Sequence, residues 1–351
     1  MKLNAKQAKR KKELLSTPIG HFDIKKIDAT PIIEAMDKMS FTARDTARAA
    51  KIYDRMLADK GCVVFLALAG STSAGGCMQI YVDMVKNRMV DAVISTGASI
   101  VDMDFFEALG YKHYRGTPSV DDHEMRSLYI DRIYDTFIDE EQLQHCDDAT
   151  RQIADSLAPK PYSSREFIRE MGRWLADGNA KKKDSLVQAA FENNVPIFCP
   201  AFSDSSAGFG LGKHQWNHPA RHASIDSVKD FLELTKIKMH APTSGLFMVG
   251  GGVPKNFVQD TVVCAEVLGK EVPPHKYAVQ LTVADVRDGA CSSSTLKEAS
   301  SWGKVQTVYE QMVYAEATSV LPLIASYAYH KGSWRKRPKP GYGKLLDAGK
   351  I

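Results

Sequence analysis

Glu298-Ala-Ser-Ser-Trp302-Gly303-Lys304, near the end of a chain of 351 residues, sets an amine beside an indole and a carboxylate. With Val305 next in the chain, that amine is expected to be partly withheld from water, which disfavours its charged form. It would then titrate below the ordinary lysine value of about 10.4 and exist as a neutral nucleophile, able to form imines with carbonyl or iminium carbons. Glu298, on the far side of a bend, is placed to hold a cationic group beside it. Spacing alone favours a plainer reading, a surface lysine at the start of a strand.

Small-residue loops carry a second kind of chemistry. Cys62–Leu68 runs into Ala69-Gly70-Ser71-Thr72-Ser73-Ala74-Gly75-Gly76, and Asp91–Ser95 runs into Thr96-Gly97-Ala98-Ser99. Val195–Pro200 leads to Ala201-Phe202-Ser203-Asp204, and Ser244–Val249 ends in Gly250-Gly251-Gly252-Val253-Pro254-Lys255. Glycines ahead of a helix N-terminus let backbone N–H groups approach a phosphate, and an acid at a strand's carboxyl end suits ribose hydroxyls. No loop ends in the Gly-Lys-Ser/Thr of a P-loop or matches G-x-G-x-x-G, so pattern alone puts a nucleotide site only narrowly ahead of tight turns. Gly208-Phe-Gly-Leu-Gly212 precedes no helical pattern and reads as a flexible loop. His214, His218 and His222 recur every four residues, but Pro219 interrupts their helix and no nearby acid completes a set, so no metal is expected.

These loops need strands to present them. Short apolar runs suit buried parallel strands, and strand, small-residue loop, helix in succession is the pattern of a doubly wound sheet. Helices are expected over 31–39 and 42–58, the second packing through Ala49, Ala50, Tyr53, Met56 and Leu57. Residues 123–138, 140–157, 164–176 and 185–193 also read as helices, forming an insertion. The fold expected is α/β, a Rossmann-like doubly wound, mostly parallel sheet in one domain over 15–330, between basic tails at 1–14 and 331–351.

Composition narrows the class. No run of 18 apolar residues exists and no apolar segment follows the basic start, so neither a membrane span nor a signal peptide is expected. Six scattered cysteines without a C-x-x-C pair suit reduced thiols in a cytoplasmic protein. The net charge of +4 belongs to the ends: residues 1–13 hold six Lys or Arg and 331–351 hold seven, leaving 33 basic against 40 acidic residues between them. Solvated tails explain the ends more simply than nucleic acid does, and an acidic body suits a cationic small molecule.

Ser301-Trp302-Gly303-Lys304, with Glu298 before it and Tyr314-Ala315-Glu316-Ala317-Thr318 after it, resembles the active-site segment of deoxyhypusine synthases. The similarity runs from about residue 15 to residue 330. It implies that Lys304 accepts a 4-aminobutyl group from spermidine as an imine, with NAD as cofactor, Glu298 and Trp302 at the substrate, and no metal. It also implies cofactor contacts at Gly70, Ser71, Thr96, Gly97, Ala98, Asp102 (a glutamate in the family), Asp204, Gly250, Gly251, Gly252, Asp288, Ser292, Glu316 and Ala317. Departures gather at the polyamine: Phe209 and Cys291 stand where the family has aspartates, Asn256 where it has histidine, and Asp260 where it has asparagine. The acceptor implied is a protein lysine or a small diamine such as putrescine, which would make this a homospermidine synthase. A catalytically weak NAD-binding regulator is the reading from another class. A sirtuin-like deacylase would need a zinc-binding cysteine quartet that the sequence lacks. The resemblance further implies a homotetramer with sites at subunit interfaces.

Overall fold

Every residue of Cys62–Leu68 is apolar, and the strand it forms, β1, is buried along its whole length. Val64, Leu66 and Leu68 enter one hydrophobic cluster while Val63, Phe65 and Ala67 enter another, the alternation that a pleated strand imposes when both faces are covered. The computed structural model describes residues 3–351. Around β1 it assembles β2 (Ala92–Ser95), β3 (Ile197–Phe198), β4 (Thr243–Val249), β5 (His275–Thr282) and β6 (Val305–Tyr314). The order across the sheet is β6-β5-β4-β1-β2-β3 and every pairing is parallel. This is the doubly wound α/β sheet expected from the sequence, in the strand order of dinucleotide-binding folds.

Helices cover both faces. Phe41–Ala58, Met78–Lys86, Leu186–Asn193 and Ala317–Lys331 bury Tyr53, Ile80, Val187 and Leu321 in the first cluster. Ser227–His240, Gly252–Gln259 and Leu296–Ser301 bury Leu234, Val258 and Leu296 in the second. The chain winds outward from β1 to β3, returns to β4 beside β1, and winds outward again on the other side. The segments leaving β1 and β4 therefore diverge to opposite faces and open a crevice at the carboxyl edge of the sheet.

Three expectations are corrected. Residues 123–138 are not one helix: Asp122–Ser127 is followed by antiparallel strands Ile130–Ile133 and Thr136–Asp139. Tyr129 at φ 54° ends the helix, and Tyr134 at φ 52° closes the hairpin without the glycine or asparagine that usually announces such a turn. Gly208–Gly212 is no loop but part of the helix Ser206–Asn217. A Cβ at Gly208 would stand 1.9 Å from the Ser203 carbonyl oxygen, and one at Gly210 2.5 Å from that of Asp147, so these glycines serve close packing.

The basic ends are docked, each through one buried cation, while their other described cations stay exposed. Ala5–Leu14 is a helix with a reciprocal Asn4/Gln7 cap, and Lys11 Nζ reaches Asp139 and Glu141, each at 2.9 Å. Arg337 is buried against Asp91, where it also donates to the carbonyls of Arg88 (2.8 Å), Met56 (3.2 Å) and Cys62 (3.2 Å). Asp347 pairs with Arg165 at 2.7 Å. In each pair the partner lies far away in sequence. No helix is long and apolar enough to cross a membrane among the described residues.

Removing Arg337 would strand the buried Asp91 carboxylate. Arg337→Ala is expected to lower the unfolding free energy in urea by about 3–5 kcal/mol. A solvated tail would give a change of less than about 0.5 kcal/mol.

Candidate functional site

The crevice where β1 and β4 diverge has a volume of 990 Å³. Its floor is backbone, from Gly70 and Ser71 after β1 and from Gly250, Gly251 and Gly252 after β4. Gly250 has φ 73°, and a Cβ there would lie 2.9 Å from the Ala69 carbonyl oxygen; one at Gly251 would lie 2.4 Å from Ser292 Cα. Only glycine lets the two segments come this close. Ser292, Glu316 and Ala317 complete one side, Glu316 capping the helix Ala317–Lys331 through the Thr318 amide at 3.0 Å.

The opposite wall is one that sequence reasoning missed. It comprises the hairpin residues Ile133, Tyr134, Asp135 and Thr136, with Arg115 and the segment at Ile19 and Gly20. That segment is held by Ile19 N–H on the His113 carbonyl (2.8 Å) and Phe22 N–H on the Gly76 carbonyl (2.9 Å). His21 lies 2.8 Å from Glu107, which also meets His113 at 2.9 Å and Lys182 at 2.6 Å. Burial would push the Glu107 carboxyl up, but its bonds to the two imidazoles outweigh burial and hold it well below the usual range.

Gly70, Ser71, Gly250, Gly251, Gly252, Ser292, Glu316 and Ala317 are thus brought together, whereas six other expected cofactor residues lie off the crevice. Thr96 Oγ1 bonds to Ser99 Oγ (3.1 Å), and Ser99 Oγ donates to the Gly70 carbonyl (3.0 Å), so this loop buttresses the first. Gly97 is pressed against Ser205, 2.5 Å from where its Cβ would be, and Ala98 packs on the Ala74, Met78 and Met103 cluster. Asp102 accepts from the Ser206 amide at 2.8 Å, and burial pushes its carboxyl up to about 6. Asp204 is exposed. Asp288 accepts from the Ser293 hydroxyl and from the Ala290 amide (2.8 Å); the first of these bonds holds it below its usual range.

A second groove of 640 Å³ backs onto the crevice. Asn256, Asp260, Cys291, Glu298, Trp302 and Lys304 line it. The helix Gly252–Gln259 shows Gly252 to the crevice and Asn256 to the groove, and the loop 289–294 shows Ser292 to one and Cys291 and Ser294 to the other. Leu296–Ser301 begins with a Thr295/Glu298 capping box and ends at Trp302; Gly303 at φ 70° then turns the chain into β6. Lys304 follows from that turn. Its Nζ lies 2.5 Å from Asp260 Oδ1 and 5.2 Å from the Trp302 ring centre, and Asn256 Nδ2 donates to Asp260 Oδ2 at 2.8 Å.

Two expectations about this groove change. The Lys304 amine keeps the expected indole beside it, but Trp302 is 67% exposed and the amine also faces a carboxylate, Asp260, that was not expected. A second amine, Lys255, is buried beside it: it is 1% exposed, burial pushes it down to about 8, and it donates to Ser294 O (2.5 Å) and Oγ (3.0 Å). Its position in the first turn after three glycines was the available signal. Phe209 does not reach the groove of its own chain; it stands 69% exposed on Ser206–Asn217.

The histidine series does meet an acid, contrary to expectation. Asp155 Oδ1 lies 2.6 Å from His214 Nδ1 and 3.4 Å from His218 Nε2. His214 Nε2 also accepts from the Ala223 amide at 3.0 Å, so this ring spends both nitrogens on the fold.

Asp102 makes a stability prediction. Its carboxyl binds a proton more tightly folded than unfolded, so it costs stability above about pH 6 and nothing below its unfolded value near 3.8. Asp102→Asn is expected to raise the unfolding free energy by about 1–3 kcal/mol at pH 8, with the gain fading towards pH 4 in parallel urea titrations.

The family described as deoxyhypusine synthase matches residues 31–328. A deoxyhypusine synthase-like protein of Coxiella burnetii is 67% identical over 338 residues, 96% of each chain. A "Probable deoxyhypusine synthase 2" of Methanosarcina mazei is 36% identical over 326 residues, 93% of each. The crystal structure of an Entamoeba histolytica protein carrying the deoxyhypusine synthase name superposes with a TM-score of 0.60 at 19% identity, over 89% of this chain and 97% of that one. That last likeness is one of fold.

Proposed function

The chain belongs to the deoxyhypusine synthase family, and from that premise we propose an NAD-dependent transferase that moves the 4-aminobutyl group of spermidine, or of a related polyamine, through an imine on Lys304 to an acceptor amine. The observation that carries this reading is Lys304 in a groove with two carboxylates, Asp260 and Glu298, sharing a wall with the crevice at the sheet's switch point.

The crevice suits a dinucleotide. Its 990 Å³ lies at the upper end of the range for small-molecule sites, and the space where a Cβ of Gly70 would point is free of other atoms. Gly251 and Gly252 lead into a helix N-terminus, a favourable end for a diphosphate. Bound there, NAD supplies reversible oxidation of the carbon beside a secondary amine, so that the whole transfer is redox-neutral. Glu298 and Asp260 attract the ammonium groups of the donor, Trp302 offers a flat face for its chain, and Lys304 retains the aminobutyl fragment until the acceptor displaces it. The acceptor is a protein lysine or a small diamine such as putrescine. A catalytically weak NAD-binding regulator is the competing reading, and it forms no adduct.

A homotetramer belongs to the same proposal, since Phe209 meets a Lys304 groove only if a second copy brings it there. Light scattering is expected to give a tetramer, and a fully active monomer would remove this part. Borohydride added during turnover with NAD and spermidine is expected to fix an aminobutyl group on Lys304, seen by peptide mass spectrometry and lost in Lys304→Ala. NADH should not accumulate with product. An unmodified Lys304 during demonstrated turnover would sink the assignment.

A further inference from the structure

Asp260 stands between the helices Gly252–Gln259 and Thr261–Val267, where an aspartate ordinarily accepts from the first-turn amides of the helix that follows. This one makes no such bond. Oδ1 is turned to Lys304 Nζ at 2.5 Å and Oδ2 to Asn256 Nδ2, four residues back, at 2.8 Å; both partners line the groove and neither oxygen caps the helix that follows. The Asp260 side chain is 31% exposed and that of Lys304 12%, so Asp260 can exchange a proton with a molecule in the groove. The other charged neighbours are otherwise engaged: Glu298 accepts from the Thr295 amide at 3.3 Å, and Lys255 is buried on Ser294.

Resting on the transferase reading, we propose that Asp260 is a catalytic residue: it relays the protons that Lys304 gives up in attacking the donor's iminium carbon to the departing amine. The bond from Nζ to that carbon forms and the bond from the carbon to the departing nitrogen breaks. Lys304 enters as the ammonium paired with Asp260: one proton passes to Asp260 before attack and a second leaves Nζ as the carbon–nitrogen bond breaks, and the departing amine takes both, leaving as an ammonium with Asp260 again a carboxylate. No electrons change hands in this step, because the nicotinamide oxidation has already produced the iminium. Release to the acceptor runs the same path with the roles of the two nitrogens reversed.

The test uses the full-length enzyme and its Asp260→Asn and Asp260→Glu variants, with two readouts. One is the rate at which a small acylating reagent labels Lys304 without substrate, followed by peptide mass spectrometry. The other is the single-turnover rate of the imine trapped by cyanoborohydride with NAD and spermidine. In Asp260→Asn the amine loses its carboxylate partner, so labelling is expected to quicken several-fold while imine formation slows by about 10²-fold or more. Asp260→Glu should recover part of the imine rate. If both rates fall together, Asp260 only positions Lys304; if the imine rate is unchanged, no proton passes through it; either result overturns the proposal. Wild-type enzyme that never forms the imine overturns the transferase reading and this step with it, whereas an imine in wild type matched by Asp260→Asn overturns this step alone.

Discussion

The reversal of winding between β1 and β4 is the constraint from which the rest follows. Adjacent parallel strands run in the same direction, and their ladder continues past the strand ends: the Ala69 amide donates to Val249 at 2.9 Å and the Gly250 amide to Leu281 at 2.8 Å. The two chains then part, because Met78–Lys86 packs on one face and Gly252–Gln259 on the other. Backbone at this point is both close-packed and open to one side. A side chain at Gly250 would force Ala69 away and unpick the last rungs of the ladder that holds the crevice floor.

A single buried amine sets the second wall. Lys255 extends from the first turns of Gly252–Gln259 and donates to Ser294 O and Oγ, fastening the loop 289–294 to that helix. Leaving water costs the ammonium free energy, visible in its lowered titration, and neutral oxygens repay only part of that cost. What it secures is position. Because the loop is fixed, Ser292 closes the crevice while Cys291 stays in the groove. The two cavities therefore keep a fixed relation to one another.

What was legible in the sequence was local. The apolar run of β1 declared a strand covered on both faces, and glycines after strands marked the carboxyl-edge loops. What was hidden depended on residues distant in the chain. The sequence around Lys304 shows its indole, but its nearest charged partner, Asp260, comes from another helix junction. Arg337 looked like part of a solvated tail because Asp91 lies at the start of β2. Gly208 and Gly210 resembled a flexible loop because the backbone they accommodate belongs partly to Asp147 in a separate helix. The hairpin at 130–139 was missed for a local reason, since Tyr134 takes up a left-handed backbone that its residue type does not announce.

Lys255 and Lys304 show two ways of keeping an amine out of bulk water. Lys255 is closed in behind neutral acceptors, which suits a fixed strut and bars it from substrate. Lys304 opens onto a groove and faces a carboxylate. On the transferase proposal, a nucleophile so paired would be masked at rest, and attack would require a proton to leave along the same contact that masks it. The donor proposed is itself cationic, so its arrival would compete for Asp260 as well as for Glu298. A polyamine ammonium drawing on Asp260 would weaken the hold on Lys304 as the reacting carbon came within reach. Pairing and unmasking would then be one electrostatic exchange within a single groove, and the carboxylate at position 260 would be a matter of chemistry as much as of folding.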